Sequence, residues 1–213
     1  MDSEAQTLAY AQADFEEANS LFTCHFLEHF QSADTKGRLV DLGCGPGDIA
    51  IRMAAALPGW QVTGIDAGEN MLQRARERLD GEALADRVNF QLAYLPDSSL
   101  PGGAWDAVIS NSLLHHLPDP QALWNSIRHV GKTGATVQVM DLSRPESQDA
   151  AQDLVDRYAE GAPEILREDF YNSLLAAYTV SEIREQLDRA GLNSLKVDSA
   201  SDRHWIVSGI LQS

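Results

Sequence analysis

The stretch Val40-Asp41-Leu42-Gly43-Cys44-Gly45-Pro46-Gly47 constrains the fold more than any other part of the chain. Residues 38–42 read as a short apolar strand, and residues 48–57 carry helical spacing until Pro58-Gly59 stops it. Three alternate glycines therefore stand where a strand turns into a helix. Glycine at such a junction permits a tight turn and lets a ligand approach the backbone with no Cβ in the way. The same alternation runs on, with strands over 60–65, 88–92, 105–110 and 135–141 and helices over 69–79 and 120–129. Residues 4–31 have helical spacing and predict one or two further helices. Thr179-x-x-Glu182 fits a capping box opening a helix that Gly191 ends, and strands near 194–197 and 204–211 close the chain. Strands alternating with helices predict an α/β fold, a mostly parallel sheet covered on both faces. The tightly linked closing pair predicts one antiparallel strand. Right-handed crossovers then bring the C-terminal ends of the parallel strands to one edge, where ligands bind.

The ligand of the glycine loop can be narrowed from its neighbours. A dinucleotide fingerprint needs glycine at position 48, and Asp48 would set a carboxylate against a pyrophosphate. This disfavours a nicotinamide oxidoreductase. No Gly-Lys-Ser/Thr follows the loop, which removes a Walker phosphate site. A nucleoside without phosphate remains. Asp66, at the end of the second strand, can accept hydrogen bonds from both ribose hydroxyls; beside Ala67-Gly68 it can also simply cap the next helix.

Charge limits the partners. A formal charge of −16 repels phosphate backbones and anionic lipid, so neither nucleic acid nor a membrane is expected. Two cysteines, Cys24 and Cys44, are too few for a disulfide framework, and no Cys/His spacing suggests a metal. The acidic start Met-Asp-Ser-Glu is no signal peptide, and no apolar run approaches ~20 residues, so a cytoplasmic protein is expected.

Three segments, VDLGCGPGDIAIRMA, VTGIDAGENMLQRAR and WDAVISNSLLHHLPDP, resemble in order motifs I, II and IV of the class I S-adenosylmethionine-dependent methyltransferases. The resemblance covers residues 38–142. It implies a Rossmann-like seven-stranded sheet, S-adenosyl-L-methionine as cofactor with S-adenosyl-L-homocysteine as product, and methylation of a small-molecule acceptor. By this likeness Gly43, Gly45 and Gly47 wrap the methionine moiety, and Asp41 supports the loop and the amino group. Asp66 takes the ribose with Ala67 beside it, Met71 lies near the adenine, and Asn111 contacts cofactor. Relatives carry an acid after the third strand to receive the adenine amino group. This chain reads Gln91-Leu92-Ala93-Tyr94 there, which leaves the backbone around Leu92 and Ala93, or the side chain of Tyr94 or Gln91, for that contact. The expected organisation is one domain over residues 1–213. It comprises a helical lid at 1–35 carrying Tyr10, a cofactor core at 36–142, an insertion over the acceptor at 143–178 and a closing segment at 179–213. A cofactor-binding partner subunit, or a different transfer from the same cofactor, fits the motifs as well.

Methyl transfer from a sulfonium is an in-line displacement, and alignment alone can supply roughly 7–11 kcal/mol of the barrier reduction. A hydroxyl acceptor also needs a base. His115 and His116 follow the fourth strand on the ligand edge and are candidates for it; the alternative is that they form a helix start and the cofactor wall. Asp141, ending the fifth strand, can orient the acceptor or cap a helix. In the insertion, Arg167, Tyr171 and Asn172 can bind a small polar acceptor. The same stretch also reads as an amphipathic helix packed through Phe170, Leu174 and Leu175.

Overall fold

The computed structural model describes residues 15–30, 36–81 and 83–212. Seven strands form one sheet: β1 (Gly37–Leu42), β2 (Trp60–Asp66), β3 (Val88–Leu92), β4 (Trp105–Asn111), β5 (Gly131–Leu142), β6 (Leu195–Ser199) and β7 (His204–Ile210). Their order across the sheet is β3-β2-β1-β4-β5-β7-β6. All neighbouring pairs from β3 to β5 are parallel, while β7 runs antiparallel to both β5 and β6. The strand order reverses direction at β1, whose neighbours are β2 and β4, and the loop after β1 opens there. Central β1 is buried on both faces from Leu39 to Leu42, which is why its sequence is apolar there apart from Asp41. Edge strand β6 instead alternates buried and exposed residues.

Helices α1 (Glu16–His29), α2 (Asp48–Ala56) and α3 (Glu69–Leu79) cover one face. Their buried partners include Phe22, Phe26, Met53, Leu72, Leu39, Val62 and Ile109. On the other face lie α4 (Gln121–Val130) and α7 (Val180–Ala190), packed around Trp124, Trp205, Leu123 and Ile183. Removing a buried side chain the size of Trp124 would cost about 3–5 kcal/mol. Its ring nitrogen donates to Gln186 Oε1 at 2.9 Å and ties α4 to α7. The capping box of α7 is present: Thr179 Oγ1 accepts from the Glu182 N–H, and Glu182 Oε2 accepts from the Thr179 N–H at 2.8 Å.

Two features depart from the sequence reading. Strand β5 starts at Gly131 rather than near 135, because Gly131 pairs with Trp105 ahead of an irregularity in the β4–β5 register. The segment 143–178 folds as two helices, α5 (Gln148–Tyr158) and α6 (Glu164–Ala176). A third apolar cluster of Leu142, Ala151, Leu154, Val155, Leu174 and Ala177 holds them at the end of β5.

Helix α1 is fastened to the sheet by a buried amide. Gln138 of β5 donates through Nε2 to the Phe22 carbonyl at 2.8 Å, and its Oε1 meets His25 Nδ1 at 2.8 Å. No helix among the described residues is long and apolar enough to cross a membrane.

Candidate functional site

The ends of β1 and β2 build a backbone cradle. Gly43 and Cys44 N–H groups donate to the Ile65 carbonyl at 2.7 and 3.0 Å, which clamps the loop onto β2. Asp66 then accepts from the Gly45 N–H at one oxygen and from the Gly68 N–H at the other, both at 2.8 Å. A Cβ on Gly43 would lie 2.7 Å from Leu113, and one on Gly47 2.8 Å from Phe90, so these two glycines serve close packing. Gly45 differs: its φ is +51°, yet a Cβ there would meet nothing within 4 Å. It turns the backbone and leaves the space beside it open. Asp48, at the start of α2, forms an ion pair with Arg78 at the end of α3, and the same guanidinium reaches the Pro46 carbonyl. The sequence showed Asp48 as unsuited to a pyrophosphate; its partner lies 30 residues away.

Two acceptor oxygens are buried beside this loop without a partner, Asp41 Oδ2 and Asn111 Oδ1. Asp41 is registered with Ile109 on the neighbouring strand, two residues before Asn111, so both side chains share a sheet face. Burial, and then the nearby Asp66, push the Asp41 carboxyl up to about 8. A carboxyl in this state lacks a cation. On the far side of Asp66, Leu92 is paired with it in register and is 46 % exposed, and Tyr94 is 71 % exposed. The Ala93 N–H is already spent on the Asp66 carbonyl at 3.0 Å. Met71 is buried on α3, and Ala67 is exposed between β2 and α3.

The chain leaves β4 through Ser112, which has φ +56° and donates its N–H to the Met140 carbonyl at 2.9 Å. A 3₁₀ turn, Leu114–His116, follows. Within it His115 Nδ1 meets Asp141 Oδ1 at 2.5 Å, and the His115 N–H donates to Asp141 Oδ2 at 3.2 Å. Asp141 Oδ1 also accepts from the Leu142 N–H at 2.7 Å. The two side chains are 4 % and 1 % exposed. Burial disfavours the Asp141 charge, but His115 and the two N–H groups outweigh it and hold the carboxyl below its usual range. The His116 ring stands 3.9 Å from that of His115, tilted by 46°. Part of the His116 surface is open; the protein packed about the ring, and then His115, lower its pKa to about 4.

Helix α6 packs against this histidine turn. Tyr171 is half-buried there and Asn172 is exposed. Arg167 lies on the same helix but is held by α5: it donates to Asp156 Oδ1 at 2.5 Å and to the Ala159 carbonyl at 2.9 Å. Tyr10 lies outside the described residues. The structure thus brings Gly43, Gly45, Gly47, Asp41, Asp66 and Asn111 together on one edge. His115 and Asp141 form a bonded pair beside them, at the ends of β4 and β5.

Comparison with known proteins agrees with this layout. Residues 40–137 match the family model described as a methyltransferase domain. The chain is similar to a 27-O-demethylrifamycin SV methyltransferase of Amycolatopsis mediterranei, 39 % identical over 95 residues, covering 45 % of this chain and 34 % of the relative. It is also similar to a ubiquinone biosynthesis O-methyltransferase of Hydrogenovibrio crunogenus, 34 % identical over 121 residues, 56 % of this chain and 48 % of that one. The match thus spans about a third to a half of the length of these relatives. Among solved structures, an S-adenosylmethionine-dependent methyltransferase from Aquifex aeolicus superposes with a TM-score of 0.69 at 17 % identity, over 96 % of this chain and 97 % of that one, and shares its fold. Residues 40–137 thus carry the pattern of a methyltransferase domain, and the motifs and sheet order around them are similar to those of the S-adenosylmethionine-dependent methyltransferases.

Proposed function

We propose that the protein moves a methyl group from S-adenosylmethionine to a small-molecule acceptor seated between the glycine loop and the histidine turn. The observation that carries this reading is the pair of buried, unpartnered oxygens, Asp41 Oδ2 and Asn111 Oδ1, beside a loop whose Gly45 backbone faces open space. A charged donor with N–H groups satisfies both oxygens, and the amino-acid end of the cofactor is such a donor. Gly43, Gly45 and Gly47 would then hold the methionine part, and Asp66 the ribose. Ala67, Met71, Leu92 and Ala93 would flank the adenine, with the exposed side chain of Leu92 offering apolar area in place of an acid. When bound, the cofactor supplies a methyl group already activated on a sulfonium. The chain's own task is to align the acceptor and to exclude water.

On the acceptor side we place His115, His116 and Asp141, with Tyr171 and Asn172 on α6, the helix packed against the turn. Arg167 fits this reading as the residue that fastens α6 to α5, and an acceptor carboxylate would have to compete with Asp156 for it. A small acceptor is supported by the chain's charge of −16 and by the names of its relatives, one a 27-O-demethylrifamycin SV methyltransferase and one an O-methyltransferase of ubiquinone biosynthesis. The free thiols Cys24 and Cys44 suit the reducing cytosol, which is the location we propose. Titration calorimetry should show S-adenosylmethionine and S-adenosylhomocysteine binding and NAD giving no heat. A labelled methyl group should then pass from the cofactor into a metabolite extract. Absence of binding would refute the cofactor site, and binding without transfer would mark a cofactor-binding partner subunit instead.

A further inference from the structure

We propose that His25 and His29 of α1 bind a zinc-like divalent ion between their two Nε2 atoms, and that this ion fastens the end of α1 to the sheet. The site belongs to neither the glycine loop nor the histidine turn, and it does not rest on the methyl-transfer reading.

The proton on each ring is fixed by the ring's partner. Gln138 Nε2 donates to the Phe22 carbonyl at 2.8 Å, so Oε1 is the atom turned to His25, and an amide oxygen only accepts. His25 Nδ1 therefore carries the proton. His29 Nδ1 lies 2.8 Å from the His25 carbonyl, another pure acceptor, and carries a proton for the same reason. In the neutral rings both Nε2 atoms are left with a lone pair. Neither makes a hydrogen bond among the described residues. A metal-bound histidine almost always gives its second ring N–H to a carbonyl, a carboxylate or water, and both rings are already held that way.

The two rings also stand together. They are stacked with centroids 4.0 Å apart and planes 17° from parallel. A spacing of four residues puts them on one helix face, and histidines so spaced on a helix serve as zinc ligands. Two nitrogens bound to one such ion at about 2.0–2.1 Å stand roughly 3–4 Å apart. The ring spacing falls at the upper end of that range, and a tilt of the exposed His29 ring brings the nitrogens together. Charge favours a cation here. His29 closes the last turn of α1, where the backbone dipole is negative, and the exposed Glu28 is next to it in sequence.

Imidazole nitrogens suit zinc, copper and nickel, whereas magnesium and calcium take oxygen. The Cys/His spacings of closed zinc sites are absent from the sequence, and this pair is of another kind, two histidines with no cysteine. No third ligand completes the set among the described residues, so water fills the other positions. Half-buried His25 carries the effect inward. An ion on its Nε2 draws charge from the ring, which makes Nδ1–H a stronger donor to Gln138 on β5 and ties the ion to the docking of α1.

The test uses the full chain, stripped with EDTA and titrated with zinc chloride in a calorimeter at neutral pH. One ion per chain should bind, and His29→Ala should abolish that binding. The His29 side chain is exposed, and this variant keeps the bond between His25 and Gln138. Gln138→Leu should weaken zinc roughly 10–100-fold, as loss of the group behind a metal-bound histidine does. Nitrogen-15 NMR of labelled histidine reads the atoms directly. Zinc should shift two Nε2 signals, assigned by their loss in His25→Ala and His29→Ala, while Nδ1 of both rings stays protonated. Hydrogen exchange over residues 16–29 should slow with zinc in the wild type and not in His29→Ala. No saturable binding would overturn the proposal. So would binding that His29→Ala leaves intact, which would put the ion on other groups such as the Cys24 thiol. Zinc bound at the two histidines with exchange unchanged would overturn the fastening of α1.

Discussion

Asp41→Asn isolates the most unusual charge in the site. The Asp41 carboxyl is buried, has a bare Oδ2, and has its pKa raised from 3.8 to about 8. Below pH 3.8 the folded and unfolded chains are both protonated at this residue, and it makes no difference to stability. Between there and about pH 8 the unfolded chain has lost a proton that the folded chain keeps, so folding becomes less favourable as pH rises. Each pH unit in that window costs about 1.4 kcal/mol, so the span from pH 5 to pH 7 takes about 3 kcal/mol from the cofactor-free protein. For a chain of this size that is about 6–12 °C in Tm. Asparagine cannot ionise. Thermal melts of the cofactor-free wild type and Asp41→Asn, taken across pH 5–8, should therefore diverge, the wild type losing that much more as pH rises. The difference between the curves cancels every other titrating group. S-adenosylhomocysteine should reverse the effect, since its ammonium favours the ionised carboxylate. Near neutral pH its binding should release close to one proton, seen as a dependence of the calorimetric heat on the buffer's ionisation enthalpy. Parallel melting curves together with no proton release would show that Asp41 is already ionised, and the argument from its burial would be wrong.

Gly43→Ala should lower thermal stability by more than the 1–2 kcal/mol or so of a left-handed alanine, because its Cβ also meets Leu113 at 2.7 Å. Gly45→Ala should cost only about that backbone strain in melts, yet weaken cofactor binding in calorimetry; equal effects of the two on stability would contradict the assignment of open space beside Gly45. Gln138→Leu removes both side-chain links to α1 while the Phe22 carbonyl keeps its intrahelical partner, so the loss is that of two hydrogen bonds, about 1–3 kcal/mol. Hydrogen exchange over residues 16–29 should rise in that variant, and an unchanged rate there would show that apolar packing alone holds α1.

What could be read in the sequence was whatever depends on neighbours along the chain. The alternation of strands and helices, the capping box at Thr179 and the reversed last strand all follow from local pattern, and each stands in the structure. Asp41, Asp66, Asn111 and Asp141 could be named in advance because each ends a parallel strand. The pairing of His115 with Asp141 could not. It depends on β4 lying next to β5 with Asn111 registered on Met140, a long-range fact with no local trace. The ion pair of Asp48 with Arg78 is hidden for the same reason, since its partners sit on helices either side of β2. The early start of β5 was missed because Lys132-Thr133-Gly134 is polar and carries no strand signal; the chain pairs there through backbone alone. In the insertion, Leu174 with helical spacing to Phe170 and Tyr171 did mark a helix, but a polar binding loop has much the same composition, and only the cluster with Leu142 and Val155 decides between them.

Asp66 makes an apparently simple test of the cofactor site ambiguous. Both of its oxygens already accept from backbone N–H groups, Gly45 on one and Gly68 on the other, so it organises the loop before any ribose arrives. A carboxylate has about four lone-pair sites, which leaves room for two hydroxyls as well. Asp66→Ala would therefore weaken binding even if the ribose never touched it, through a disordered loop and two unpaired N–H groups worth about 1–3 kcal/mol each if buried. A cycle with two ligands separates the roles: S-adenosylhomocysteine and its 2′-deoxyribose analogue, each titrated into wild type and Asp66→Ala. If Asp66 holds the 2′-hydroxyl, the wild type should prefer the natural ligand by about 10-fold or more, as a charged hydrogen bond worth about 1.5–3 kcal/mol implies. The variant should then bind the two ligands alike. A preference that survives the substitution would mean that Asp66 shapes the loop and another group reads the ribose.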